Sequence, residues 1–441
     1  MENKNGFATR FGTLVVVGGS VVGLGNIWRF PYIAGENGGG AFIIIYILTT
    51  LIIAMPMMLC ELSLGRNTRS NVFGAFKKLD GHKWRFMGLL TVLSAFFVIS
   101  FYAVIAGWSF EFIFKSISGH FIDLPYQQVR GELTSFIDSG IRPIIWALLY
   151  IFATAAIVIF GVQKGIERIS KILMPVFFVL IVCLAAYSLT LDGAKEGLAF
   201  LFKPDFSKVT GRTVLQAVGQ AFFSLSIGLG SLVTYGAYIH KSVSLRHLAV
   251  TIVSTDTVVA ILSGLVIFPA IFTFGISSSS GPDLIYITLP TVFGSMQGGH
   301  IISTIFFILV FIAAITSSIS ILEMMVSYLV QERKMTRRKA VIIASAASAV
   351  LAVICSLSMA TGSKLKLMGM PIFDFLNDIT ASYMMPINAI VVVIFMGWIA
   401  HKALFKELTN GATTIPWWYK PLLLLIKFGL PAVIFLIILN G

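Results

Sequence analysis

Two stretches of the chain have residue types and spacing suited to holding an ion beside a charged organic group. The first runs Gly18-Gly19-Ser20-Val21-Val22-Gly23-Leu24-Gly25-Asn26, with four glycines inside eight residues. The second runs Ser224-Leu225-Ser226-Ile227-Gly228-Leu229-Gly230-Ser231. Val22-Gly23-Leu24-Gly25-Asn26 and Ile227-Gly228-Leu229-Gly230-Ser231 are near copies, about 205 positions apart, each in the middle of an apolar run. Each interior glycine costs a helix up to about 1 kcal/mol relative to alanine. Unwinding at mid-membrane leaves backbone N–H and C=O groups unpaired, at several kcal/mol each unless something binds them. Freed carbonyls suit a hard cation such as sodium. The half-helix that follows a break offers N–H groups and a positive dipole end to an anion. Asp256 is a third candidate, because it lies about nine residues into an apolar run, where ionisable groups are costly and functional.

The elements that position these residues follow from composition. Of 441 residues, 57% are hydrophobic and 12% charged, 37 are Phe, and mean hydropathy is +0.93. A soluble domain carries roughly 25% charge, so the chain reads as an all-α polytopic membrane protein. Apolar runs long enough to cross a bilayer lie at 11–34, 41–64, 87–117, 142–160, 166–190, 212–239, 247–274, 300–330, 340–358, 373–399 and 417–440. That makes about eleven spans. The polar stretch Met1–Arg10 is short, and the run after it reads as a first span rather than a cleaved signal peptide.

The breaks fall in the first and sixth spans. A step of five reverses orientation, so the halves read as inverted repeats. The expected division is 1–190 for the first repeat, 191–399 for the second and 400–441 for the eleventh span. The net charge of +13 is a topology signal. Arg66, Arg69, Lys77, Lys78, Lys83 and Arg85 follow the second span, Arg333, Lys334, Arg337, Arg338 and Lys339 follow the eighth, and 275–299 holds no Lys or Arg. The positive-inside rule then puts the N-terminus in the cytoplasm and the C-terminus outside the cell membrane. Basic residues scattered over short flanking loops form no stripe for nucleic acid. Cys60, Cys183 and Cys355 sit in apolar runs and read as small buried hydrophobes. All six histidines fall in loops or at span ends, which argues against a Ser–His enzyme. No repeated filter or charged ring of a channel is present.

Asn26-Ile27-Trp28-Arg29-Phe30-Pro31-Tyr32, followed by Glu36-Asn37-Gly38-Gly39-Gly40-Ala41-Phe42, resembles the signature of the neurotransmitter:sodium symporter family. Lys164-Gly165-Ile166-Glu167-Arg168, Thr316-Ser317-Ser318 and Ala217-Val218-Gly219-Gln220-Ala221-Phe222-Phe223-Ser224 agree with it. The likeness runs along essentially the whole chain. Eleven spans and short termini resemble the family's bacterial amino-acid transporters.

The resemblance implies a sodium-coupled importer of apolar or aromatic L-amino acids that works by alternating access. A sodium-gated amino-acid sensor is the alternative. No cofactor is implied beyond co-transported sodium, and the partners are the amino acid, sodium and the lipid bilayer. Two sodium sites are implied. The first uses the Val21 carbonyl, Asn26, Ser224 and Asp256, and the second the carbonyls of Gly19, Val22 and Ala313 with the hydroxyls of Thr316 and Ser317. The substrate carboxylate is expected at the N–H groups of Leu24 and Gly25, the first sodium and the Tyr102 hydroxyl. Its ammonium is expected at carbonyls near Phe223, Ser224 and Ser226, and its side chain among Val98, Tyr102, Phe223, Leu229, Ser317 and Ile321.

Position 229 is often aromatic in relatives. Leu229 leaves room for a larger or branched side chain. Asp256 stands where chloride-dependent relatives have Asn, and Ala260 where they have a chloride-binding Ser, so transport is expected without chloride. Arg29 with Asp378 is the expected outer gate, with Asp374 as fallback. Phe7 stands where Trp is usual at the inner side, Lys4 near the usual Arg, and Gln331-Glu332 near its acidic partner. Gly165 and Pro175 resemble a helix-unwinding motif.

Overall fold

The computed structural model describes residues 6–80, 84–275 and 282–440. Among the described residues, nine continuous helices are long and apolar enough to cross a membrane: Gly40–Thr68, Arg85–Ile117, Ile141–Val158, Val162–Ser188, Leu245–Phe274, Gly299–Gln331, Arg337–Ser358, Ile372–Ile399 and Tyr419–Leu439. Arg10–Val21 and Gly25–Glu36 form a tenth span, bent by 53° at its break. Gly211–Ser224 and Ser231–Tyr238, separated by residues 225–230, supply the interrupted sixth in chain order. The expected spans thus appear within four residues of their sequence-derived ends.

The connections carry short helices, Tyr126–Asp138, Ala194–Phe202 and His401–Leu408 among them. Between the seventh and eighth spans, Leu284–Gly294 is helical, within the loop read from Ser, Gly and Pro. A two-stranded antiparallel ribbon precedes the tenth span, with Lys366 opposite Pro371 and Leu367 opposite Met370. It is the β-structure among the described residues.

Lateral position follows burial. In the eighth span 83% of the most apolar window is buried, against 17% in the eleventh. The eighth span therefore sits at the centre, packed along the third and against the first half-helix, and the eleventh lies at the edge. Outward faces are apolar: Phe152, Val179 and Leu439 are each more than 60% exposed, a surface suited to hydrocarbon rather than water. Cys60 and Cys355 are buried as expected, whereas Cys183 is exposed on such a face of the fifth span.

Candidate functional site

Both glycine-rich stretches are breaks. The first half-helix ends at Val21, and Val22 turns to extended backbone with its N–H on the Gly18 carbonyl. The last carbonyls of a helix have no intrahelical donor, so this end supplies backbone oxygens from Gly19, Val21 and Val22. In the second break Ser226, Gly228 and Gly230 all have positive φ. Gly228 has φ +82°, and a Cβ there would lie 2.1 Å from the Met385 carbonyl oxygen, so only glycine fits.

The second break is clamped from both sides. The Gly228 N–H donates to Glu61 Oε1 at 2.7 Å, and its carbonyl accepts from Asn388 Nδ2 at 2.9 Å. Asn388 Nδ2 also reaches Ser94 Oγ at 2.9 Å. The two breaks are tied together as well. Ser226 Oγ donates to the Ser20 carbonyl at 3.3 Å, and Gln220 Nε2 to the Gly25 carbonyl at 3.1 Å.

Asn26, Ser224 and Asp256 converge, all buried. Ser224 Oγ donates to Asp256 Oδ1 at 2.6 Å, and Asn26 Nδ2 to the same oxygen at 2.8 Å. Tyr46 donates its hydroxyl to Asp256 Oδ2 at 2.7 Å. Asn26 Oδ1 accepts from the Gly23 N–H at 3.1 Å. A carboxylate has about four lone-pair positions and a hydroxyl two. This constellation can therefore keep its internal bonds and still offer hard oxygens to a cation.

Gly19, Ala313, Thr316 and Ser317 also come together. A Cβ on Gly19 would stand 3.6 Å from Thr316 Cβ, and one on Gly23 2.6 Å from Ser317 Oγ. Thr316 Oγ1 donates back to the carbonyls of Ile312 (3.1 Å) and Ala313 (3.0 Å), and Ser317 Oγ to Ala313 at 3.4 Å. The ordinary back-bond of a hydroxyl in an apolar helix is thus made. It uses the proton and leaves the lone pairs available, so back-bonding and cation binding are compatible here.

Between the breaks lies a cavity. Leu24, Gly25, Val98, Tyr102, Phe223, Ser224, Ser226, Leu229, Ser317 and Ile321, the ten residues proposed from sequence, all line it. A Cβ on Gly25 would meet the Phe223 ring at 2.7 Å, so the backbone approaches that wall as closely as glycine permits. The Tyr102 hydroxyl is buried in this lining without a hydrogen-bond partner among the described residues. The tenth span adds Asn377, Thr380, Ala381 and Met385, which the sequence reading did not include.

A family model described as "Sodium:neurotransmitter symporter family" matches residues 4–137 and 132–441. The chain belongs to this family. It is 34% identical over 436 residues to a sodium-dependent transporter of Bacillus subtilis, YhdH, covering 98% of this chain and 97% of that one. It is 30% identical over 445 residues to a sodium-dependent transporter of Methanocaldococcus jannaschii, covering 95% and 87%. The crystal structure of MhsT in complex with L-phenylalanine superposes with a TM-score of 0.90 at 40% identity, over 99% of this chain and 100% of that one.

The arrangement of Arg29 and Asp378 departs from expectation. No ion pair joins Arg29 to Asp378. The Arg29 guanidinium lies over the Phe223 ring, 4.8 Å from its centroid, and donates to the Gly219 carbonyl at 3.3 Å. Asp378 is exposed and accepts from Ser382 Oγ at 3.2 Å, one turn along its own helix. Each group is held by other partners, and the residue of that turn that lines the substrate cavity is Asn377. At the opposite end of the symporter, Phe7 is fully buried, edge-on to Tyr235 and Tyr238, with its N–H on the Tyr238 carbonyl at 3.1 Å. Tyr238 in turn donates to Glu323, which pairs with Arg337. Gln331 bonds Asn71 and Ser70, and Lys4 lies outside the described residues. Glu61, which clamps the second break, is a buried carboxyl inside an apolar span; the criterion that singled out Asp256 would have found it.

Proposed function

We propose that this protein is a sodium-coupled symporter that imports apolar or aromatic L-amino acids by alternating access, without chloride. The observation that carries the reading is one cavity bounded by both helix breaks and an oxygen cluster built on Asp256. The half-helix beginning at Gly25 starts in the cavity wall, where Leu24 and Gly25 lie in the same lining as the Tyr102 hydroxyl. Together they suit a carboxylate. The remaining walls, Val98, Phe223, Leu229 and Ile321, are apolar and suit an apolar or aromatic side chain. The solved relative that contains L-phenylalanine supports the same substrate class.

Two sodium ions are transported in this reading. One binds at Val21, Asn26, Ser224 and Asp256, and the other at Gly19, Val22, Ala313, Thr316 and Ser317. Asp256 provides the negative charge near the first ion, and Ala260 has no hydroxyl with which to hold chloride. The chain divides at 190 and 399 into two inverted repeats and a last span, with the N-terminus cytoplasmic and the C-terminus outside.

The test is uptake of labelled phenylalanine and leucine into proteoliposomes under an inward sodium gradient, in gluconate and in chloride, with a twenty-amino-acid competition panel. Sodium-driven accumulation at equal rates in both anions is expected. Sodium-dependent binding without accumulation would instead identify a sensor, and collapse in gluconate would refute chloride independence.

A further inference from the structure

We propose that the outer gate of this transporter carries no ion pair: Asn377, not Asp378, is the tenth-span residue that closes over the substrate cavity, opposite an Arg29 already held on Phe223. The inference rests on reading that cavity as the substrate site. Three observations carry it.

The first is helical phase. Asn377, Thr380, Ala381 and Met385 line the substrate cavity and Asp378 does not; Asn377 and Asp378 are both exposed, and the Asp378 carboxylate is taken up by Ser382, which lines the wider cavity with Arg29. Successive helical residues are rotated by about 100°. To bring Asp378 into the substrate cavity in place of Asn377, the tenth span would have to turn by that angle and withdraw Thr380 and Ala381 from the wall. Met385 resists such a turn, because its backbone lies against Gly228 too closely for a Cβ.

The second is the state of Arg29. Its charge sits over the Phe223 ring and its Nη1 is on the Gly219 carbonyl, so the guanidinium is fixed without a carboxylate. The third is the charge pattern of the mouth. The substrate cavity and the wider cavity that adjoins it share Phe223, Ala381 and Met385. Arg29 and Arg212 line the wider one, and neither cavity has an Asp or Glu in its described lining. A neutral amide therefore faces a positive rim. Closure and reopening make and break no ion pair, and the field at the mouth favours the carboxylate end of an incoming amino acid.

The experiment uses the full-length protein in proteoliposomes, with Asp378→Asn, Asp378→Glu and Asn377→Asp. Each is also made with Gln216→Cys, after Cys60, Cys183 and Cys355 are replaced by Ala. Gln216 lines the wider cavity, so its labelling by a membrane-impermeant thiol reagent reports outward opening. Asp378→Asn should transport and label within about two-fold of wild type, as befits an exposed charge. Asn377→Asp should place a carboxylate opposite Arg29 and slow labelling in saturating sodium by about five-fold, the population shift of a partly exposed ion pair.

The proposal is overturned if Asp378→Asn loses about ten-fold in uptake and Asp378→Glu restores it, the pattern of a required ion pair. It is equally overturned if Asn377→Asp labels and transports like wild type. Absence of sodium-driven uptake by wild type would count against the functional reading instead. The labelling rates need no transport and judge the gate alone.

Discussion

Replacing Tyr102 by Phe should separate ligand binding from folding. The Tyr102 hydroxyl is buried in the cavity wall, beside the Leu24 backbone and the Ser317 hydroxyl, without a well-formed hydrogen bond to any described residue. Leaving such a group unpaired costs a folded protein about 1–3 kcal/mol. Its removal should therefore leave the melting temperature of the ligand-free protein unchanged or raise it. Binding should respond in the opposite sense. A hydrogen bond to a charged group contributes about 1.5–3 kcal/mol, and each 1.4 kcal/mol is ten-fold in Kd, so affinity should fall about 10- to 140-fold. The ring stays in place, so the aromatic wall is kept. The assay is equilibrium binding of labelled phenylalanine in sodium, with a thermal melt of the same sample without ligand. Phenylalaninamide, which lacks the carboxylate, is the control and should lose little between wild type and mutant. A change in Kd below about three-fold, or equal losses for acid and amide, would refute Tyr102 as the carboxylate's partner. A large drop in ligand-free stability would refute the premise that the hydroxyl is unpaired.

Leu229→Phe should shift preference toward smaller aliphatic amino acids, with discrimination of about 10- to 200-fold; an unchanged rank order in a competition panel would mean the pocket wall lies elsewhere. Thr316→Ala with Ser317→Ala should abolish sodium-stimulated binding while the protein remains folded by size-exclusion and melt, and retained sodium dependence would argue against the second cluster as a cation site. Asp256→Asn with Ala260→Ser should create chloride dependence, measured as uptake in chloride against gluconate; an active double mutant indifferent to the anion would exclude Asp256 as the substitute charge. Burial pushes the Glu407 carboxyl up, but its bonds to Lys241 and Arg66 outweigh this and hold it below the usual carboxylate range. The stability it contributes is present above the unfolded value of about 4.3 and is lost as pH falls through the lower folded value. Melting temperature should therefore drop on acidification in wild type and less steeply in Glu407→Gln. At neutral pH that variant should be less stable by up to about 3–5 kcal/mol, because the buried Arg66 charge loses its carboxylate and keeps only neutral partners, the carbonyls of Val243 and Glu407 and the Asn410 side chain.

The parts of the site that could be read from sequence are those where the backbone itself is unusual. Glycine pairs flanked by Ser and Asn mark both breaks, and the residues around them fall in one cavity because a break can only be stabilised by what surrounds it. Asp256 was legible for a related reason, since a carboxyl in hydrocarbon needs donors, and Ser224, Asn26 and Tyr46 supply them. The tenth span shows what was not legible. Its outer turns carry Asp374, Asn377, Asp378, Thr380 and Ser382 on several sides and it has no break, so nothing in its pattern fixes its rotation. A π-helical turn at Ile379–Met384 shifts the register again. Choosing between Asn377 and Asp378 therefore needed coordinates. Tyr46 and Asn388 were missed because their role is a contact with another helix, at sequence separations of 210 and 160, which no local pattern encodes.

The peptide unit at Gly228 is gripped at its N–H by the second span and at its carbonyl by the tenth. This bears on the entropy of binding. Residues 225–230 have lost their helix, yet they do not form a floppy hinge. Fixing a backbone costs about 1–2 kcal/mol per residue, or roughly 6–12 kcal/mol for six residues. With Glu61 and Asn388 in place, that ordering belongs to folding, and an arriving amino acid meets stationary dipoles. The entropy of association should then come from released water and from side chains, leaving the unwound segment as stiff after binding as before it.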